Sequence, residues 1–295
     1  MGLGFQDLSM GQGFNIVDDI QDLHSLPRDM FSVYLSDDGV SEITFGGYKQ
    51  DQLASQLLWM PVTRESYWQI GIDDITFNNK KQNLCTDCQV AVDTGTSLLA
   101  GPSSVIDALT ENLQVAPDCS NFDTLPNLGF AVGDKVLNLL PDDYIDREGG
   151  SCSLALMTLD VPPPRGPLFI FGDPFLRRFT TVYDRDGPKV GFAVAKHDDK
   201  ISPSSLIADL DTTDAPKKSS KLIEQDDFAD LPRFDEMLQL PDSHAQHEFT
   251  NLVSISLERR EFSSSTANQA KVAATSASMP GLLGRETRSV RKTSP

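Results

Sequence analysis

Between Pro27 and Ala195 the apolar residues come in short runs cut by turn residues. No stretch approaches the ~18 consecutive apolar residues of a membrane-spanning helix. Runs this short suit strands better than helices. Phe31-Ser-Val-Tyr-Leu-Ser36 alternates in polarity, Asp37-Asp38-Gly39 supplies a turn, and Ser41-Glu-Ile-Thr-Phe45 returns, which predicts a hairpin. Further strands are predicted over 67–72, 75–77, 89–92, 127–132, 168–171, 180–184 and 189–194. Helices are scarce. One is expected over 14–26, where Ile16, Val17, Ile20 and Leu23 fall at helical spacing before Pro27 stops it, and another over 105–113. The predicted fold class is all-β.

After Ala195 the chain turns to Ser, Asp, Lys and Pro, and residues 199–295 read as a mostly disordered tail with a helix near 222–240. Charge follows the same division. Residues 1–198 carry 28 acidic and 13 basic groups, whereas 199–295 carry 15 and 12. From Arg259 onward seven basic groups face only Glu261 and Glu286, best read as a solvated end. The net charge of −18 argues against nucleic acid as a partner and is compatible with work in an acidic compartment, where self-repulsion falls. Four cysteines in two spaced pairs suggest an oxidised secretory framework, although the first residues resemble neither a signal peptide nor a myristoylation site. A missing amino-terminal segment would reconcile the two.

The chemistry concentrates in Cys85-Thr-Asp-Cys88-Gln-Val-Ala-Val-Asp93-Thr94-Gly95-Thr96-Ser97-Leu-Leu-Ala-Gly101-Pro102. Ala91 and Val92 lead into Asp93, Gly95 permits a tight turn, and Leu98 and Leu99 re-enter the core. An acid at the end of a buried strand can be stripped of water and held by backbone N–H groups and hydroxyls. Alone, Asp-Thr-Gly is an ordinary turn. Downstream, however, lie Leu168-Phe-Ile-Phe-Gly172-Asp-Pro-Phe-Leu-Arg177, Val182-Tyr-Asp-Arg185 and Lys189-Val-Gly-Phe-Ala193. In that order, from about Gly2 to Ala195, these segments resemble the pepsin-like (cathepsin D-like) family of aspartic proteases.

The resemblance implies that Asp93 is the catalytic aspartate of a carboxyl-terminal lobe and Thr94 its interlocking threonine. It implies that Gly95 lets the turn form, that Thr96 and Ser97 line the cleft, and that Ile170, Phe171 and Gly172 form a crossing strand under the aspartate loop. It pairs Cys119 with Cys152 and Cys85 with Cys88, the latter enclosing only two residues, tighter than usual in this family. Zinc is the rival reading of that close pair, without a second close pair or a suitably spaced histidine to complete it. Trp59, Tyr67 and Trp68 read as core aromatics. His24, His197, His244 and His247 stand beside no nucleophile.

Acid proteolysis needs two carboxylates sharing a proton, and the sequence holds no second Asp-Thr-Gly or Asp-Ser-Gly. By resemblance Gly2-Leu3-Gly4-Phe5 ends the crossing strand of an amino-terminal lobe. Residues 1–36 are then a remnant of that lobe and the inter-lobe connection, with apolar surface exposed, and 37–198 are the carboxyl-terminal lobe. The expected function is that of an aspartic endopeptidase acting on polypeptides, without metal or organic cofactor, in a secretory, endolysosomal-type acidic or extracellular setting. Its partner would be the missing amino-terminal lobe. Two alternatives remain: a homodimer sharing two Asp93, as in retroviral proteases, and a lobe that binds peptides or a partner without cleaving them.

Overall fold

The computed structural model describes residues 2–11, 13–22, 26–37, 39–197, 201–211 and 253–258, all within the compact unit Met1–Arg259. The expected tail helix near 222–240 and His24, His244 and His247 lie outside these residues.

Strands dominate, as the short apolar runs predict. A six-stranded antiparallel sheet runs in the order Val253–Glu258, Val40–Phe45, Met30–Tyr34, Phe179–Asp184, Lys189–Val194 and Leu58–Pro61. The expected hairpin is its second and third strands, with Phe31 opposite Phe45 and Val33 opposite Ile43. A five-stranded sheet holds Ile207–Asp209, Lys135–Leu139, Leu128–Val132, Asp74–Phe77 and Lys80–Lys81. The sheet that carries Asp93 runs Leu156–Thr158, Leu99–Gly101, Phe169–Phe171, Cys88–Val92, Gln69–Ile72. A separate hairpin joins Ile145–Glu148 to Ser151–Leu154 through Gly149 and Gly150, both at positive φ, as a two-residue turn of matching twist demands.

Aromatic stacks join these sheets. Phe175 lies between Phe171, at 3.9 Å between ring centroids, and Phe179, at 4.6 Å, and meets the edge of Phe192. A second stack sets Tyr183 against Phe31 at 4.5 Å and against the edge of Trp68. Trp59 and Trp68 are core residues as expected, but Tyr67 is only half-buried. Its ring and hydroxyl face Arg165, a cationic neighbour that keeps it at the surface.

The expected helix over 14–26 is observed as Ile16–Asp22. It starts late because the Asn15 side chain caps it, accepting the Val17 N–H at 3.1 Å. Met10 and Phe14 beside it are 93% and 76% exposed, in line with the apolar surface expected there. The helix expected over 105–113 begins two residues earlier, as Ser103–Leu113, because the Asp160 carboxylate accepts the Ser103 N–H at 2.9 Å. A short helix, Asp173–Arg178, follows the crossing strand and was not foreseen.

Two segments of the stretch read as a tail belong to sheets. Ile207–Asp209 pairs with Lys135–Leu139, with Leu206 buried just before it, and Val253–Glu258 pairs with Val40–Phe45. Sheet pairing supplies what local composition does not advertise.

Candidate active site

Asp93 stands one residue beyond Cys88–Val92, a strand whose last three residues are buried. Phe169–Phe171 lies beside that strand in parallel register, Phe171 opposite Val92, and pairs on its other side with Leu99–Gly101 through Ile170 and Ala100. One strand therefore separates the two arms of the aspartate loop. The loop is tied to it at both ends: Asp93 N–H donates to the Phe171 carbonyl at 3.1 Å, and Asp173 N–H donates to the Thr96 carbonyl at 2.9 Å. Gly172 lies between these ties, and a Cβ there would come within 2.3 Å of both the Thr96 and Leu98 carbonyl oxygens. Glycine is needed for this close approach of two backbones.

Both oxygens of the half-buried Asp93 carboxylate accept hydrogen bonds. The Gly95 N–H donates to Oδ1 at 2.9 Å, and the Thr96 hydroxyl donates to Oδ2 at 2.7 Å. These contacts fix the carboxylate's orientation while leaving it reachable from solvent. Thr94 and Ser97, singled out with Thr96 from the sequence, are exposed. The hydroxyl that holds Asp93 is that of Thr96.

Sequence reasoning missed Tyr183, which feels the Asp93 charge, and Asp74, which supports the segment leading to it. Tyr183, wholly buried in the adjoining sheet, has its phenol pushed well above the ordinary value, first by burial and then by the negative charge of Asp93. Nothing in the strand Phe-Thr-Thr-Val-Tyr-Asp, buried throughout, marks that proximity. Asp74 is also buried, and its carboxylate accepts the N–H groups of Asn83, Leu84 and Cys85 at 2.6, 3.0 and 3.1 Å. It thereby anchors the loop that delivers Cys85 and then the strand ending at Asp93. The signal available in the sequence was a charged residue opening a strand, which asks for a buried partner.

Cys85 is bonded to Cys88, and Cys119 to Cys152, so the thiols of the close pair are consumed by each other. The first bridge lies at the entry to the Asp93 strand. The second ties the loop after Ser103–Leu113 to the strand Ser151–Leu154. Among the described residues no helix is long and apolar enough to cross a membrane.

A description of eukaryotic aspartyl proteases matches residues 1–195. The chain belongs to that family. It is 41% identical to cathepsin E of Mus musculus over 212 residues, 66% of this chain and 53% of that protein. It is 36% identical to pepsin A of Sus scrofa over 203 residues, 65% of this chain and 53% of the relative. Plasmepsin VI of Plasmodium berghei (strain Anka) is 34% identical over 218 residues, covering 67% and 49%. The chain thus spans about half the length of the curated relatives it matches. The match ends before Ile207–Asp209 and Val253–Glu258, which lie outside the shared family region.

Proposed function

We propose that this chain supplies the Asp93 half of an aspartic endopeptidase dyad, and that the second carboxylate belongs to an amino-terminal lobe of the kind its relatives carry. The observation that supports this best is the Asp93 carboxylate, held on both oxygens at the end of a buried strand. In such a dyad one carboxylate is ionised and takes a proton from water, and the water oxygen attacks the scissile carbonyl carbon. The other carboxyl, protonated, donates to the carbonyl oxygen. Collapse of the tetrahedral intermediate then breaks the C–N bond as the amine takes a proton. Water is the only co-reactant.

On this reading residues 1–36 form part of the amino-terminal lobe and its connection, and 37–198 the carboxyl-terminal lobe. The exposed Met10, Phe14 and Ile16 are an apolar surface for that lobe to cover. Substrates are polypeptides with apolar residues flanking the scissile bond. The setting is acidic, in keeping with the carboxylates Asp29, Asp143 and Asp184, whose burial raises their pKa values. Thr96 and Ser97 would line the cleft near the substrate backbone, and Thr94 would be the interlocking threonine.

The test joins the chain behind the amino-terminal half of mouse cathepsin E and follows cleavage of a denatured protein between about pH 3 and 6. The fusion should cleave, Asp93→Asn should lower kcat by at least ~1000-fold, and the chain alone should be inert. Cleavage by the fusion that survives Asp93→Asn would remove Asp93 from the chemistry. Cleavage by a dimer of the chain alone, lost in Asp93→Asn, would replace the proposal with a dyad of two Asp93.

A further inference from the structure

In a body this rich in carboxylates, arginines are expected to end against acids, and most do. Arg28 lies 3.8 Å from Asp184, Arg147 pairs with Asp142, Arg177 and Arg178 both meet Asp37, and Arg185 is held by Asp18 and Asp29. Among the described residues, Arg64 and Arg165 are the arginines with no carboxylate in ion-pair reach, although Glu65 follows Arg64 directly. These two belong to touching loops. Arg64 Nη1 donates to the Pro164 carbonyl at 2.9 Å, and Arg165 lies over the Tyr67 ring, 5.9 Å from its centroid, with Nη1 donating to the Tyr67 hydroxyl at 3.2 Å. Cations left without counter-ions on neighbouring loops attract any anionic group that comes to them.

The place where they meet is set by strand register. Thr63 N–H donates to the Gln69 carbonyl at 2.8 Å, which closes the turn that carries Arg64 and Tyr67. Gln69 opens a strand antiparallel to Cys88–Val92 and stands opposite Ala91, two residues before Asp93. The turn therefore lies at the Asp93 end of that strand.

Arg165 reaches this turn from a stiff support. The Arg165 and Gly166 N–H groups both donate to the Pro162 carbonyl, at 3.2 and 3.1 Å. A Cβ at Gly166 would come within 1.7 Å of the Val161 carbonyl oxygen, so the loop closes on itself only with glycine there. Pro162, Pro163, Pro164 and Arg165 are exposed. Three consecutive prolines and this closure leave little backbone freedom to lose when a ligand arrives.

We propose that Arg165, aided by Arg64, is a specificity residue of the cleft: it receives a carboxylate side chain of the substrate near the scissile bond, so that chains bearing Asp or Glu there are taken in preference to Asn or Gln. The proposal rests on the reading of Asp93 as half of a dyad. Tyr67 holds one face of the guanidinium, and the planar fork keeps N–H donors on its edge for a carboxylate. Selection by charge depends on the substrate's own ionisation. With an ordinary Glu pKa of about 4.3, the attraction is present at about pH 5.5 and mostly lost at about pH 3.5.

The test uses peptides with a reduced, uncleavable bond between two apolar residues, carrying Glu, Gln or Lys at each flanking position in turn. Binding to the cathepsin E fusion is followed by fluorescence anisotropy for wild type, Arg165→Gln, Arg165→Lys and Arg165→Glu. At one flanking position Glu should bind about 5-fold more tightly than Gln at about pH 5.5, and the two should converge at about pH 3.5. Arg165→Gln should remove the preference, Arg165→Lys should keep part of it, and Arg165→Glu should favour the Lys peptide, a reversal that misfolding does not produce. Because binding is read without chemistry, an inert fusion that still ranks the peptides by charge would sink the dyad and leave this proposal standing. A fusion that cleaves, with a ranking indifferent to residue 165, would do the opposite. Absence of binding, equal binding of Glu and Gln peptides at every position, or a Glu preference that persists in Arg165→Glu overturns the proposal.

Discussion

The hydroxyl of Thr96 donates to Oδ2 of Asp93 at 2.7 Å, from three residues along the same loop. This bond and the Gly95 N–H leave neither carboxylate oxygen free to swing. Thr96→Val keeps the shape and removes the donor to a charged acceptor, a bond in the class worth ~1.5–3 kcal/mol when buried. For this half-buried pair the expected loss is about 1 kcal/mol in urea unfolding, with Thr96→Ser closer to wild type. Equal stability of all three chains would show that the hydroxyl does not hold the loop.

Gly172 allows the crossing strand to pass under the aspartate loop. With a Cβ only 2.3 Å from two carbonyl oxygens, neither of which belongs to a flexible side chain, Gly172→Ala must push the backbones apart. The expected cost is about 3 kcal/mol, read as a lower denaturant midpoint at unchanged m-value. Gly149→Ala provides a contrast. It lies in a turn with open space around it, so its penalty comes from positive φ alone and stays near ~1 kcal/mol.

Asp143 links pH to stability. Burial raises its pKa from 3.8 to about 6, against the opposing pull of Arg178, 2.7 Å away, and of the Leu140 N–H. Between those two values the folded chain holds a proton that the unfolded chain has released. Stability from this group is therefore full below roughly pH 4 and lost as pH rises through about 6. Asp29 and Asp184 shift in the same direction, mainly through burial. Tm should rise as pH falls from about 7 to 5, and Asp143→Asn, which cannot ionise, should flatten part of that rise. An unchanged slope in the variant would assign the effect to the other carboxylates.

The Cys119–Cys152 bridge closes a loop of sequence separation 33. By chain entropy its removal should cost about 3.5 kcal/mol, so a Cys119→Ser/Cys152→Ser chain should unfold at a markedly lower denaturant concentration. The close bridge, with separation 3, restricts the unfolded chain far less, and its removal should cost less.

Strands with clean alternation or a continuous apolar run, such as Lys189–Val194 and the hairpin from Met30 to Phe45, could be read from the sequence because their pattern is their burial. Lys135–Leu139 could not. Its buried Asn138 breaks the apolar run, and only the structure shows the Asn79 side chain and Ser205 carbonyl that accept its amide hydrogens. Leu99–Gly101 is too short to announce itself, and Val253–Glu258 is hidden in a polar stretch because its partner is more than two hundred residues away. At the site, Asp93 and Gly172 were legible from their neighbours. Which of the three hydroxyls at 94, 96 and 97 holds the carboxylate depends on how the turn closes, and Tyr183 approaches through a different sheet.

The crossing strand also sets an order of events on a growing chain. Asp93 leaves the ribosome well before Phe169–Phe171, yet the loop takes its shape only when that later strand is laid between its arms. Until then the carboxylate sits on an unsupported turn beside apolar sheet edges, a non-local closure that is slow and exposed to aggregation. The aspartate loop can therefore take its shape only once residue 171 has been made, and a chain halted before it would leave that turn without its support.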